Sequence, residues 1–289
     1  MREFKISQRE AQRWVDKGRI CTQGARITEK GASVEGEIEV LYFRPDSCNL
    51  SPLFITPSFA IFDKPADLLV HPRGTFAHYT LIDEVRFCFG NEANLVHRID
   101  KETSGIVLIS RDRRSDLELK NSFKDHKVKK RYLALVRGRI ASEMELHFPI
   151  LAQDKRQDLG IRMKIDRAGK PSFTHITPLC YDLKSDTTLI SAEPLTGRTH
   201  QIRVHLAHAG FPIVGDPLYG ANDEDSRAYL ERKMPKSVRE RCFGASRLML
   251  HAEYLSFNFK NNIYKIYSKQ DFIEEVEAVQ KLFKNSKVE

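Results

Sequence analysis

Leu95-Val96-His97-Arg98-Ile99-Asp100-Lys101-Glu102-Thr103-Ser104-Gly105-Ile106-Val107-Leu108-Ile109 sets two apolar segments on either side of a polar hinge. The β-branched run that follows Gly105 reads as a buried strand, predicted over 105–110, and residues 94–97 read as the strand before it. The polar hinge between them holds acidic and basic residues and small hydroxylated side chains. A carboxylate placed there sits at a strand end, where the rim of a rigid sheet presents it to a cleft. Thr103, Ser104 and Gly105 supply a tight turn that orients Asp100, and Arg98 is spaced to meet a phosphate.

Outward from the hinge, further strands are predicted at 59–62, 132–136, 187–192, 255–259 and 264–267. Ser115 with Glu118 predicts a helix running to about His126. Thr199 is the expected cap of a helix whose Ile202, Leu206 and Ala209 share a face, ended by Gly210. Asp271 and Glu274 open a last helix that buries Phe272, Val276, Val279 and Phe283. Strands often follow one another with no helix between them. The expected fold class is therefore α+β, with a largely antiparallel or mixed sheet around a central cleft.

The first 46 residues read as a separate unit. Ser7 and Glu10 form a capping box ahead of Ala11, Trp14 and Val15, and Gly18 closes that helix. Segments 19–27 and 33–40 read as strands around turns at Gly24 and Gly31. Residues 44–57, with three prolines, read as a linker, so the domains are set at 1–46 and 47–289.

Charge is clustered. Residues 111–139 carry eleven Lys/Arg against four Asp/Glu, within a chain of net charge +8. A second excess, seven against two, lies between Arg227 and Arg247. Clusters of this kind suit a polyphosphate partner, because each neutralised phosphate releases a counterion. A solvated basic face with no partner is the competing account. No apolar run approaches the ~18 residues that cross a bilayer, and MREFKISQRE lacks a secretion signal, so a cytoplasmic protein is expected. The five cysteines are dispersed and form no CxxC, which predicts buried reduced thiols. The histidines form no HExxH, and His200 and His205 lack neighbouring carboxylates in sequence, so neither metal nor cofactor is expected.

HRIDKETSG, residues 97–105, resembles the HR[LI]DxxTSG signature of the RluA-type pseudouridine synthases. KKRYLALVRG (129–138) and LTGRTHQIRVHLAHAGFPIVGDPLYG (195–220) are similar to two further motifs of that family, in the same order. DKPADLLVHP (63–72) resembles its DKPxGxxVHP opening and departs from it at Ala66 and Asp67. The N-terminal helix, GRICTQG and GEIEV are similar to a shortened S4 RNA-binding domain.

The resemblance implies an enzyme that isomerises uridine in structured RNA. Large-subunit ribosomal RNA is the expected substrate, transfer RNA the alternative, and the expected state a monomer. By the same resemblance Asp100 is the catalytic aspartate and Arg98 enters the RNA helix to help expel the base. Tyr132 stacks on the uracil, Arg203 pairs with the catalytic carboxylate, and Arg198 contacts substrate or frames the cleft. His97, His200 and His205 are expected to be structural or RNA-contacting. Direct attack of Asp100 on ribose or uracil, and deprotonation through a glycal, both remain open.

Three rival readings are weaker or finer. HRID also resembles the HRD loop of protein kinases, but no GxGxxG, DFG or spaced asparagine accompanies it. A binding protein of this fold without activity would need an altered carboxylate. A ribosome-assembly factor whose isomerase activity is secondary has the same residues.

Overall fold

The computed structural model describes residues 7–31, 33–34, 36–41, 47–72, 79–154, 158–231 and 233–285. It divides into two compact units, Met1–Asp46 and Ser47–Glu289.

In the first unit, helix α1 (Gln8–Asp16) is capped by Ser7, whose Oγ accepts the Glu10 amide at 3.2 Å. Strand β1 (Ile20–Thr22) pairs antiparallel with β2 (Ala25–Arg26) and with β3 (Ile38–Val40). The expected 33–40 strand is therefore shorter than its alternating pattern suggested. Ala32 and Glu35 lie outside the described residues.

The second unit is built on a ten-stranded sheet. Its main path runs β4 (Phe54–Ile55), β5 (Phe59–Lys64), β7 (Ser104–Ser110), β14 (Leu250–Phe259), β8 (Lys129–Arg137), β13 (Thr187–Pro194), β12 (Thr174–Asp182) and β9 (Met144–Leu146). β6 (Asn94–Leu95) adds to β7, and β15 (Asn262–Tyr267) adds to β14. A separate two-stranded sheet joins β10 (Ile150–Ala152) to β11 (Met163–Ile165). Every described ladder is antiparallel except β7 with β14, where Ser104 faces His251 and Gly105 faces Ala252. The sheet is thus mixed and largely antiparallel, and the protein is α+β.

Period-two alternation decides which side chains meet. On β5 and β7, Ala60, Phe62, Val107 and Ile109 pack with helix α2 (Leu81–Phe89). Phe59, Ile61, Ile106 and Leu108 point the other way and meet Leu119 of helix α3 (Arg113–Lys124), with Leu255 and Phe257 of β14. All seven residues of β7 are buried, which is why its centre, Ile106–Ile109, is an unbroken apolar run. Each such aliphatic or aromatic side chain contributes about 1.5–3 kcal/mol relative to exposure. A third cluster joins β8, β13, helix α4 (Gln201–His208) and helix α7 (Phe272–Asn285) through Leu135, Ile190, Leu206 and Val276. Helices α5 (Asp223–Leu230) and α6 (Lys236–Phe243) lie between α4 and β14 in the chain.

Several local expectations need correction. Helix α3 starts at Arg113, because the Asp112 carboxylate takes the Ser115 amide at 2.9 Å; Ser115 instead turns its hydroxyl to the Ser58 carbonyl at 2.7 Å. Helix α4 is preceded by His200 in the left-handed region (φ 55°), not capped by Thr199. Part of the expected linker is structured: Phe54–Ile55 is an edge strand, and Ser47 and Cys48 donate to Glu84 at 2.8 and 2.9 Å. Its first three residues, 44–46, lie outside the described residues. The cysteines are free, but Cys48, Cys88, Cys180 and Cys242 are exposed rather than buried. No described helix is long and apolar enough to cross a membrane.

Candidate active site

The loop between β6 and β7 is held from several sides. The Thr103 amide donates to the Asp100 carbonyl at 3.2 Å, closing a turn around Lys101 and Glu102. Lys64, fully buried at the end of β5, donates its ammonium to the carbonyls of Pro65 (2.8 Å) and Lys101 (3.0 Å). Burial lowers the Lys64 pKa to about 7, against the raising fields of Asp100, Glu102 and Asp67. Asp67 takes the left-handed φ of 65° that a glycine would favour, and it pairs with Lys101 at 2.6 Å. Gly105 cannot carry a side chain, because a Cβ there would stand 2.7 Å from the Ala252 nitrogen at a φ of 108°.

This loop turns Asp100 into a cleft of about 520 Å³. All five residues singled out in the sequence, Arg98, Asp100, Tyr132, Arg198 and Arg203, line it. Arg203 leaves helix α4 and donates from Nη1 to Asp100 Oδ2 at 3.0 Å. Its Nε and Nη2 donate to Asp216 at 2.7 and 2.8 Å. Asp216 is buried and also accepts the amides of Leu218 and Tyr219 at 2.8 and 3.1 Å. The guanidinium carbon lies 5.2 Å from the Tyr219 ring centroid.

His200 completes the surround. Its Nε2 is 4.0 Å from Asp100 Oδ1, and its Nδ1 is 2.9 Å from the Tyr219 hydroxyl. Burial alone would raise the Asp100 pKa. The fields of His200 and Arg203, the Arg203 hydrogen bond and the field of Arg98 outweigh it, so the carboxyl lies below its ordinary value and stays ionised. Asp216 and Asp100 hold Arg203 protonated against its own burial.

Tyr132 sits mid-sheet on β8, opposite Ala192 on one side and Ala252 on the other. Two alanines leave the aromatic face room at the cleft. Burial, and secondarily the charge of Asp100, push its phenol pKa up, so it remains neutral. Lys130, two residues earlier on the same face, donates to the Thr196 carbonyl at 3.0 Å, and burial lowers its pKa to about 8. Gln201 ties the 196–198 loop down: its Oε1 accepts from Thr196 Oγ1 at 2.7 Å and from the Arg198 amide at 3.0 Å. Arg198 reaches the Pro171 carbonyl only at 3.4 Å.

His97 and His205 both make internal contacts, and His97 also lines the cleft. His97 Nε2 accepts the Leu108 amide at 3.0 Å and its ring stacks on Phe123, with burial taking its pKa down to about 3. His205 bridges Thr174 Oγ1 (3.0 Å) and the Phe148 carbonyl (2.9 Å). His200 differs, since the fold supplies the carboxylate that its sequence neighbours lacked. Asp216 and Tyr219 were missed, although both stand in the GDPLYG segment. Their signal was an acid and an aromatic between two glycines, with no sequence cue to Arg203. Among the described residues no cluster of three or more His, Cys, Asp or Glu is arranged to hold a metal.

The cleft thus combines one ionised carboxylate, a neutral aromatic face, and walls bearing Arg98, Lys124, Lys130 and Arg198, a set suited to an enzyme with an anionic substrate. Comparison with known proteins narrows the class. The profile described as RNA pseudouridylate synthase matches residues 58–208. An uncharacterized RNA pseudouridine synthase of Helicobacter pylori (strain ATCC 700392 / 26695) is 42% identical over 266 residues, 92% of this chain and 87% of that one. Ribosomal large subunit pseudouridine synthase C of Buchnera aphidicola subsp. Baizongia pistaciae is 36% identical across 69% of this chain and 59% of its own. The solved structure of human RNA pseudouridylate synthase domain containing 1 superposes with a TM-score of 0.63 at 27% identity, covering 82% of this chain and 90% of that one. The chain belongs to the RNA pseudouridylate synthase family, and it is an isomerase acting on uridine in RNA.

Proposed function

We propose that this synthase modifies large-subunit ribosomal RNA, as a cytoplasmic monomer, with Asp100 as its reacting carboxylate. The observation that carries the site assignment is the Asp100–Arg203 pair at 3.0 Å in a cleft that also presents Tyr132. The ribosomal assignment rests on relatives named ribosomal large subunit pseudouridine synthase C, and D in Nitrosomonas europaea, the latter 32% identical over 74% of this chain.

The reaction breaks the bond from N1 to C1′, turns the uracil, and joins C5 to C1′. C5 gives up its proton to solvent and N1 gains one, so neither oxidant nor second substrate is consumed. Ionised Asp100 starts this by adding to the nucleoside or by removing a proton from the ribose, and it leaves unchanged. Tyr132 covers the detached uracil with a flat face and keeps it from escaping. Arg98 and Arg198 meet backbone phosphates, offsetting the few kcal/mol, roughly, that extruding a base costs. Arg203 keeps Asp100 charged and aimed.

Mapping pseudouridines across all RNAs of a deletion strain tests the substrate. One or more sites missing from large-subunit RNA is the expected result, while a loss confined to transfer RNA transfers the assignment there. Complementation with Asp100→Asn should leave the sites unmodified. Full modification by that variant rejects the catalytic assignment.

A further inference from the structure

Two residues beyond Asp100, Glu102 is only 4% exposed. Its Oε1 accepts the Tyr229 hydroxyl at 2.6 Å, and its Oε2 accepts Arg239 Nη2 at 2.6 Å. Arg239 is itself buried, and its guanidinium carbon lies 5.0 Å from the Tyr229 ring centroid. The partners come from α5 and α6, 127 and 137 residues along the chain. A buried carboxylate is tolerated only when paired and hydrogen-bonded, so turning the loop away would strand two opposite charges. Lys64 already fixes the carbonyl of Lys101, the residue between Asp100 and Glu102. The same short turn is therefore pinned by its backbone on one residue and by a side chain on the next.

We propose that Glu102 is a positioning residue, and that Tyr229 and Arg239 make the α5–α6 pair a buttress that sets where Asp100 meets Arg203 and His200. Glu102 does not line the cleft, so it acts through Asp100 and not on the RNA. The inference rests on Asp100 being the reacting carboxylate. Its scale follows from the tolerance of such sites, where a displacement of about 1 Å costs on the order of a hundredfold in rate.

The test uses the full chain in excess over total RNA from a deletion strain, labelled with 5-tritiated uridine, and follows tritium released from C5. Glu102→Ala and Arg239→Ala should lower the maximal single-turnover rate on the order of tenfold to a hundredfold. The half-saturating enzyme concentration should stay within about twofold, since no phosphate contact is touched. Arg239→Lys should recover part of the loss. Tyr229→Phe, which removes one hydrogen bond and little volume, should lose a few-fold with the fold intact. Val276→Ala in α7, a core truncation away from the cleft, serves as the control for lowered stability and should keep the wild-type rate. Rates that follow melting temperature across all these variants, or a change confined to half-saturation, overturn the positioning role. Asp100→Asn is run beside them: its retained activity overturns the underlying site assignment, while its loss alongside fully active Glu102 and Arg239 variants overturns this inference alone.

Discussion

Asp216 takes two nitrogens of Arg203, Nε and Nη2, and leaves the third, Nη1, for Asp100. One guanidinium thus serves an anion in the interior and an anion at the cleft. The interior partner fixes the plane of the fork, and the cleft partner inherits that orientation.

Removing the interior partner should therefore cost both fold and chemistry. Asp216→Ala leaves a buried cation half paired, and a loss of about 3–5 kcal/mol in stability is expected by urea denaturation. Single-turnover activity measured below the lowered melting temperature should fall as well. A stable and fully active Asp216→Ala protein would show that Asp216 does not hold Arg203.

The acid side of the pH profile follows from the depressed pKa of Asp100. A carboxyl whose folded pKa is lowered stays charged as pH drops through the ordinary range. Its contribution to stability is present above the unfolded value and is lost only as pH falls through the folded one. Activity should therefore persist below the usual carboxylate pKa for as long as the protein stays folded. In Arg203→Gln the acid limb should move to higher pH, and in Arg203→Lys by less. An unmoved limb in Arg203→Gln would mean that another group titrates there.

Tyr132 should work by its face and not by its hydroxyl. Its raised pKa keeps the phenol neutral through the working range, so Tyr132→Phe should keep most of the rate with an unchanged alkaline limb. Tyr132→Ala removes a stacking surface worth about 1–3 kcal/mol per base, roughly five- to 150-fold. Pre-steady-state measurement of product formation distinguishes the two, and a Phe variant as slow as the Ala variant would assign the hydroxyl a chemical part.

Gly105→Ala should fail on sterics. A new Cβ meets the Ala252 backbone, where β7 and β14 run parallel, and backbone cannot swing aside as a flexible side chain can. Strain and overpacking together should cost about 2–5 kcal/mol in denaturant unfolding. A near-neutral result would require the two strands to separate, which amide exchange at residues 104–106 would reveal.

Much of this arrangement was legible because local and tertiary demands coincide. Ile106-Val107-Leu108-Ile109 is apolar on both faces because both faces are covered, so the strand after Asp100 was readable before its partners were known. Tyr132 and Arg203 were readable through motif resemblance, and the cleft brings both to Asp100. Pairings chosen by space were not readable. Asp112 displaced Ser115 as a cap because the Ser58 carbonyl, 57 residues away, claimed the serine hydroxyl. His200 lacked a carboxylate in sequence but gained Asp100 by folding. Asp216, Tyr229 and Arg239 carry no pattern that announces a buried ionic partner, since each partner lies on another element.

The place of β14 in the sheet bears on when this enzyme comes into being during translation. It lies between β7, which leads from Asp100, and β8, which carries Tyr132, yet it begins at Leu250. A nascent chain that has not yet released that segment has the acid and the phenol on strands with no strand paired between them. Emergence of Leu250–Phe259 from the ribosome is thus needed before the two halves of the sheet can close on each other. Until then an unfinished copy has no assembled catalytic centre to turn on the RNA around it.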